Sequence, residues 1–103
     1  MELTVLSVPR CPNADAFHER LLDALAGLGG VTVHRRVIDG EQEAAEAGMH
    51  GSPTLLIDGA DPFAAPDARP SLSCRLYRDA AGRAGGAPSV AALRQVLAEA
   101  RHD

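Results

Sequence analysis

The sequence predicts an α/β protein with a four-stranded mixed sheet and helices on both faces. Short β-branched runs alternate with segments of helical apolar spacing, and the elements follow the order β-α-β-α-β-β-α. A strand, a helix and a strand joined at this length form a right-handed crossover, so the first two strands should be parallel. With 103 residues, the chain is expected to form one domain over residues 1–103.

The first half of the chain contains two predicted strands and two predicted helices. The apolar run Leu3 to Val8 precedes a proline and predicts a buried first strand. Leucines at helical spacing predict a helix over 14–28, and the β-branched run 31–38 predicts the second strand. A short helix should follow, with Asp39 as its cap and Gly48 as its terminator.

The second half predicts two more strands and a last helix. Thr54 to Ile57 is an apolar run that should lie between the first and fourth strands, and 60–70 holds three prolines that favour a loop. Alternation over 71–78 predicts a half-buried fourth strand, and Ser89 is expected to cap the last helix. The inward side chains of that strand should be Leu72, Cys74 and Leu76, opposite Ser73, Arg75 and Tyr77.

Composition excludes several classes of function. The formal charge of −4 is small, and the arginines do not gather into a stripe, so a nucleic-acid partner is not expected. The start of the chain has no leader pattern and no apolar run approaches membrane-spanning length, which predicts a soluble cytoplasmic protein with no membrane partner. Two cysteines are too few for a disulfide scaffold, so each must be considered on its own.

Cys11 lies at the turn between the first strand and the first helix, in the segment Cys11-Pro12-Asn13-Ala14. A thiol there faces unpaired backbone N–H groups and the positive end of the helix dipole, which favour a thiolate and hence a nucleophile. Arg10 adds a positive charge beside it. The alternative is that Cys11 is a small residue at a helix start with no chemical role.

Together with Gly51-Ser52-Pro53-Thr54, the Cys11 segment resembles a thioredoxin-like domain of glutaredoxin size. The resemblance implies that Pro53 is cis and stands beside the reactive sulfur. It also implies that the backbone N–H and C=O of Ser52 bind an extended peptide or glutathione, so that Ser52, Pro53 and Thr54 form the substrate-binding segment. Without the resemblance, Pro53 would be interpreted as an ordinary proline that begins a strand.

Ala14 stands where a dithiol enzyme of this kind carries its second cysteine. The resemblance therefore implies monothiol exchange with glutathione or a protein disulfide, and no bound cofactor. The segment "GGAPS", residues 85–89, resembles the glycine pair that precedes the last helix of glutaredoxins. Gly86 and Ser89 would then bind a glutathione carboxylate. The alternative is a linker followed by a helix cap.

Cys74 is predicted to be a buried apolar residue, because it alternates with leucines. The pairing of "CPNA" with a late "SCRLY" is also similar to small bacterial thioredoxin-like proteins described as organomercurial-lyase-like. That resemblance implies soft-metal or organomercury handling, with Cys11 and Cys74 binding mercury and Asp15 protonating the leaving carbon. Other metal sites are not expected, because the histidines fall on different elements.

Three hypotheses remain open: monothiol exchange, organomercurial handling, and a non-enzymatic binding module that kept the fold. Cys11 is expected to alkylate faster than Cys74, which burial should protect. The two cysteines are not expected to form a disulfide. The predicted sheet places them two strands apart, about 10 Å, with Cys74 roughly another 10 Å down its strand.

Overall fold

A computed structural model describes residues 1–79 and 81–101 and shows a mixed α/β fold. The strands and helices, in chain order, are β1 Glu2–Ser7, α1 Ala14–Ala24, β2 Thr32–Val37, α2 Glu41–Ala47, β3 His50–Ser52, β4 Thr54–Ile57, β5 Ser71–Cys74, β6 Tyr77–Arg78, β7 Ala84–Gly85 and α3 Val90–Arg101. Over the described ranges, no helix is long and apolar enough to cross a membrane.

The main sheet has three strands in the order β2-β1-β4. β1 is parallel to β2 and antiparallel to β4, with Leu6 paired to Arg36 on one side and to Thr54 on the other. The parallel arrangement of the first two strands is therefore confirmed. Because β1 lies in the centre, the turn that follows it emerges at the middle of the sheet edge.

The predicted fourth strand over 71–78 does not join this sheet. β5 instead pairs parallel to β3, and β6 pairs antiparallel to β7. The alternation is also inverted, since Leu76 is 68% exposed while Tyr77 is only 6% exposed. The physical reason is a buried ion pair: Arg75 turns inward to reach Asp61, and the Tyr77 ring packs with the main core. The prediction of one four-stranded sheet was wrong on this point.

Apolar side chains form a core on each face of the main sheet. The face that packs α1 and α3 includes Leu3, Val5, Phe17, Leu21, Leu55, Ile57, Leu93 and Leu97, and the face that packs α2 includes Leu6, Ile38, Ala44, Met49 and Leu56. Successive strand residues point to opposite faces, which explains why Leu55 and Leu56 belong to different clusters. The expected placement of helices on both faces is therefore observed.

The helix ends follow local chemistry. α1 ends at Ala24, four residues before the predicted end at residue 28. α2 is capped by Gly40 rather than by the expected Asp39. Gly48 ends α2 with φ 81°, a left-handed conformation that favours glycine. Ser89 caps α3 as predicted, because its Oγ accepts the N–H of Ala92 at 3.1 Å.

Candidate functional site

Cys11 lies in a tight turn between β1 and α1, as predicted. Its N–H donates to the carbonyl of Val8 at 3.2 Å, and its side chain is half-buried with a free thiol. α1 begins at Ala14 after the cap residue Asn13, whose side chain makes no capping hydrogen bond. The first N–H groups of α1 therefore have no side-chain acceptor from the cap, and an anion near the helix start would be favoured there.

Arg10 has an unusual backbone conformation in this turn. Its φ is 58°, in the left-handed region that few residues other than glycine adopt, and it is exposed. The turn thus presents an arginine to solvent directly before Cys11. The proposed electrostatic role of Arg10 remains a prediction.

The Ser52-Pro53 segment lies against the Cys11 turn. The peptide bond between these residues is cis, as predicted. Ser52 Oγ accepts a hydrogen bond from the N–H of Val8 at 3.0 Å, which joins β3 directly to the first residue of the turn. The structure therefore brings together the two sequence segments that carried the thioredoxin-like resemblance.

The expectation that the Ser52 carbonyl is free for a substrate was wrong. It accepts the N–H of Arg75 at 3.1 Å, because β5 runs alongside β3 and pairs Cys74 with Ser52. Ser52 is 1% exposed and Thr54 is fully buried, and Thr54 Oγ1 bonds within its own segment, donating to the carbonyl of Gly51. Any role of Ser52, Pro53 and Thr54 in substrate binding remains a prediction. A substrate could reach these residues only if the strand that contains Arg75 moved away from Ser52.

The glycine segment before α3 also reaches the Cys11 turn. A Cβ at Gly86 would fall 2.2 Å from the side chain of Asn13, so only glycine allows this close approach. Arg20 of α1 donates to the carbonyls of Ala87 and Pro88 at 3.1 and 3.2 Å, which anchors the segment. Gly86 thus lies against the Cys11 turn and Ser89 caps α3, while their binding of a glutathione carboxylate remains a prediction.

A cavity of about 490 Å³ opens beside this segment. Its lining includes Arg20, Tyr77, Asp79, Arg83, Ser89 and Val90. Arg20 already donates to the carbonyls of Ala87 and Pro88 and Asp79 carries a negative charge, so Arg83 is the lining residue suited to bind a carboxylate.

Tyr77 is a buried residue of the site that the sequence placed on the exposed face. Its hydroxyl donates to the carbonyl of Pro53, and its ring makes edge contacts with Phe17 and Phe63 at centroid distances of 5.8 and 5.4 Å. Burial raises the pKa of Tyr77, partly offset by the charge of Arg75.

A buried ionic cluster lies below Pro53 and has no counterpart in the sequence predictions. Asp61, with a side chain 1% exposed, accepts hydrogen bonds from Arg75 at 2.5 Å and contacts His50 Nδ1 at 2.9 Å. Arg75 also lies 4.8 Å from the centre of the Tyr77 ring. A single aspartate between prolines produces no periodic pattern, so only the fold reveals this cluster.

The cluster controls the ionisation of Asp61. Burial alone would favour the neutral acid. The hydrogen bonds from Arg75 and His50 outweigh burial, together with one from the N–H of Phe63, and the pKa of Asp61 lies below its ordinary value. Asp61 is therefore a stable anion that ties the proline-rich loop to β3 and to Arg75.

Cys74 is exposed, and the prediction that it is buried was wrong. It lies opposite Ser52 in β5, not far down a distant strand, although neither cysteine is bonded in the structure. Asp15 pairs with Arg35 of β2 at 2.9 Å, and its side chain is 88% exposed. Within the described part of the chain, no group of three His, Cys, Asp or Glu residues is placed to hold a metal ion.

No protein-family model, no curated protein and no solved structure matches this chain.

Proposed function

We propose that this protein is a cytoplasmic thiol-disulfide exchange protein of thioredoxin-like fold, with Cys11 as its nucleophile. The observation that carries the proposal is the meeting of three distant segments at the turn that contains Cys11. The Cys11 turn is hydrogen-bonded to Ser52 on one side, and Asn13 packs against Gly86 on the other. Such convergence of a turn that carries a thiol, a helix start and two distant backbone segments is typical of a site that binds and reacts.

The reaction follows from the position of the sulfur. A Cys11 thiolate attacks one sulfur of a substrate disulfide, forms a mixed disulfide with that half, and releases the other half as a thiolate. The uncapped N–H groups at the start of α1 stabilise the anionic sulfur before attack. Ala14 cannot resolve the mixed disulfide, so a second thiol must do so.

Glutathione or a protein disulfide is the proposed partner. The cavity beside Gly86 is lined by Arg83, which can bind a substrate carboxylate, while Arg20 anchors the carbonyls of Ala87 and Pro88 and Asp79 adds a negative charge. Arg10 adds an exposed positive charge next to the thiol. Recognition through these charges replaces recognition through the Ser52 carbonyl, because Arg75 already occupies that carbonyl.

We do not propose the organomercurial function. Its third group, Asp15, points to Arg35 on β2 and forms an exposed ion pair there. This contact draws the carboxylate to β2, whereas proton donation would require it beside both sulfurs.

The test is adduct formation with glutathione disulfide, followed by intact and peptide mass spectrometry. Cys74→Ser provides a background in which Cys11 is the single thiol, and we expect one glutathione adduct on Cys11. Cys11→Ser is the matched variant and should form no adduct at residue 11, with Cys74 modified far more slowly. No adduct on Cys11 under conditions that modify a free cysteine peptide would overturn the proposal in favour of a binding module.

A further inference from the structure

We infer that Cys74 is the resolving thiol for Cys11, so that the exchange reaction passes through an intramolecular Cys11–Cys74 disulfide. This inference rests on the proposed function and names the residue that resolves the mixed disulfide on Cys11, a step that Ala14 cannot perform. It reverses the expectation drawn from the sequence, because that expectation placed Cys74 in a different strand pairing.

The register of β5 brings Cys74 to the site. Cys74 is paired with Ser52, and neighbouring strands are about 4.8 Å apart. The Arg75 N–H bond to the Ser52 carbonyl, 3.1 Å, fixes this end of the pairing. Ser52 in turn bonds to Val8, the first residue of the Cys11 turn, at 3.0 Å. One residue, Ser52, therefore contacts both the Cys11 turn and the strand of Cys74.

Tyr77 gives a second contact between the segment that contains Cys74 and the Ser52-Pro53 segment. It follows Cys74 by three residues, and its hydroxyl reaches the carbonyl of Pro53. Residues 74–77 thus border the Ser52-Pro53 segment at both of its residues.

Exposure allows both thiols to react. Cys74 is exposed and Cys11 is half-buried, and both are free. Cys74 is the last residue of a four-residue strand and directly precedes Arg75, whose side chain is held by Asp61, so the disulfide must form without displacing that ion pair. A disulfide requires Cα atoms within about 7 Å, a distance that the end of β5 must reach as the bond forms.

The electrons balance in two exchange steps. First, Cys11 attacks the substrate disulfide, keeps one half as a mixed disulfide, and releases the other half as a thiolate. Second, the Cys74 thiolate attacks the Cys11 sulfur, the bond to the retained half breaks, and that half leaves as a thiolate that takes a proton from water. The substrate disulfide is reduced to two thiols while the protein dithiol is oxidised. Two equivalents of a low-molecular-weight thiol such as glutathione return it to the dithiol.

The experiment follows the glutathione adduct on Cys11 over time in the intact chain, after acid quenching, with wild type, Cys74→Ser and Ser73→Ala compared. Ser73 is the matched control, an exposed neighbour in β5 whose loss should leave the kinetics unchanged. In wild type, the adduct should decay to a species two hydrogens lighter than the dithiol protein. In Cys74→Ser, it should persist about tenfold longer or more.

Two results would contradict the inference, and they can be distinguished from each other. Equal adduct lifetimes in wild type and Cys74→Ser, with no intramolecular disulfide, would overturn the role of Cys74 and leave the proposed function intact. No adduct on Cys11 in either protein, together with no intramolecular disulfide, would overturn both. Circular dichroism of each variant checks that the fold is retained.

Discussion

The two sides of the Ser52-Pro53 segment are built differently. On one side, the Cys11 turn is held by neutral hydrogen bonds, and its thiol is half-buried. On the other side, Asp61 and Arg75 form a buried ion pair whose side chains are 1% and 11% exposed. The Cys11 turn leaves a thiol accessible, and the Asp61–Arg75 ion pair fixes the opposite side of the Ser52-Pro53 segment.

The comparison shows how this small domain keeps the Cys11 thiol accessible while it holds the neighbouring segment rigid. A buried ion pair adds little net stability, because desolvation opposes the attraction, but it tolerates only one geometry. Here that geometry fixes Arg75, whose N–H binds Ser52 and whose side chain covers Tyr77. We therefore expect changes in the ionic side to affect stability strongly and changes in the turn to affect reactivity.

The largest stability effect is expected for Asp61→Asn. The substitution leaves Arg75 buried without its counter-charge, which should lower the free energy of unfolding by about 3–5 kcal/mol. Urea denaturation at neutral pH measures this difference. A loss below about 1 kcal/mol would show that the cluster is not a rigid anchor.

A fall in pH should weaken the Asp61–Arg75 ion pair and lower the free energy of unfolding. Asp61 has a lowered pKa in the folded protein, so its contribution is present above the unfolded pKa of about 3.9 and is lost as pH falls through the folded value. The free energy of unfolding should decrease below about pH 4 more steeply in wild type than in Asp61→Asn. Parallel pH profiles for the two proteins would contradict this.

A smaller effect is expected for Tyr77→Phe. The ring contacts with Phe17 and Phe63 remain, while the carbonyl of Pro53 loses its donor. The expected cost is about 1–2 kcal/mol, measured by urea denaturation. If the variant were as stable as wild type, the Tyr77 hydroxyl would not hold the segment in place.

The smallest effect is expected for Asp15→Asn, which removes an exposed ion pair with Arg35. Exposed pairs contribute about 0–1 kcal/mol, since water and salt screen them. The change should also leave adduct formation at Cys11 unaltered. A large loss of Cys11 reactivity would instead revive a role for Asp15 in the site.

Sequence reasoning succeeded where the signals are local. Apolar and β-branched runs located β1 and β2, helical spacing located the start of α1, and Gly48 and Ser89 act at the helix ends as predicted. Neighbouring residues determine such features, so a single sequence is sufficient to predict them.

The errors concentrate between residues 58 and 78, where distant residues decide the structure. The alternation of leucines predicted Leu76 inside, but Asp61 draws Arg75 inward and Tyr77 fills the core. As a result, β5 pairs with β3 and not with β4, and Cys74 lies opposite Ser52 at the edge of the site. No pattern within 71–78 encodes a partner ten or more residues earlier.

The most direct measurement of the central claim is the alkylation rate of each cysteine. Iodoacetamide at neutral pH, with peptide mass spectrometry, should modify Cys11 faster than Cys74, although Cys11 is the less exposed thiol. The start of α1 favours the anionic sulfur only in the folded chain, so the difference should vanish in urea. If Cys74 reacted faster in the folded protein, reactivity would follow exposure alone, and Cys11 would not be the nucleophile.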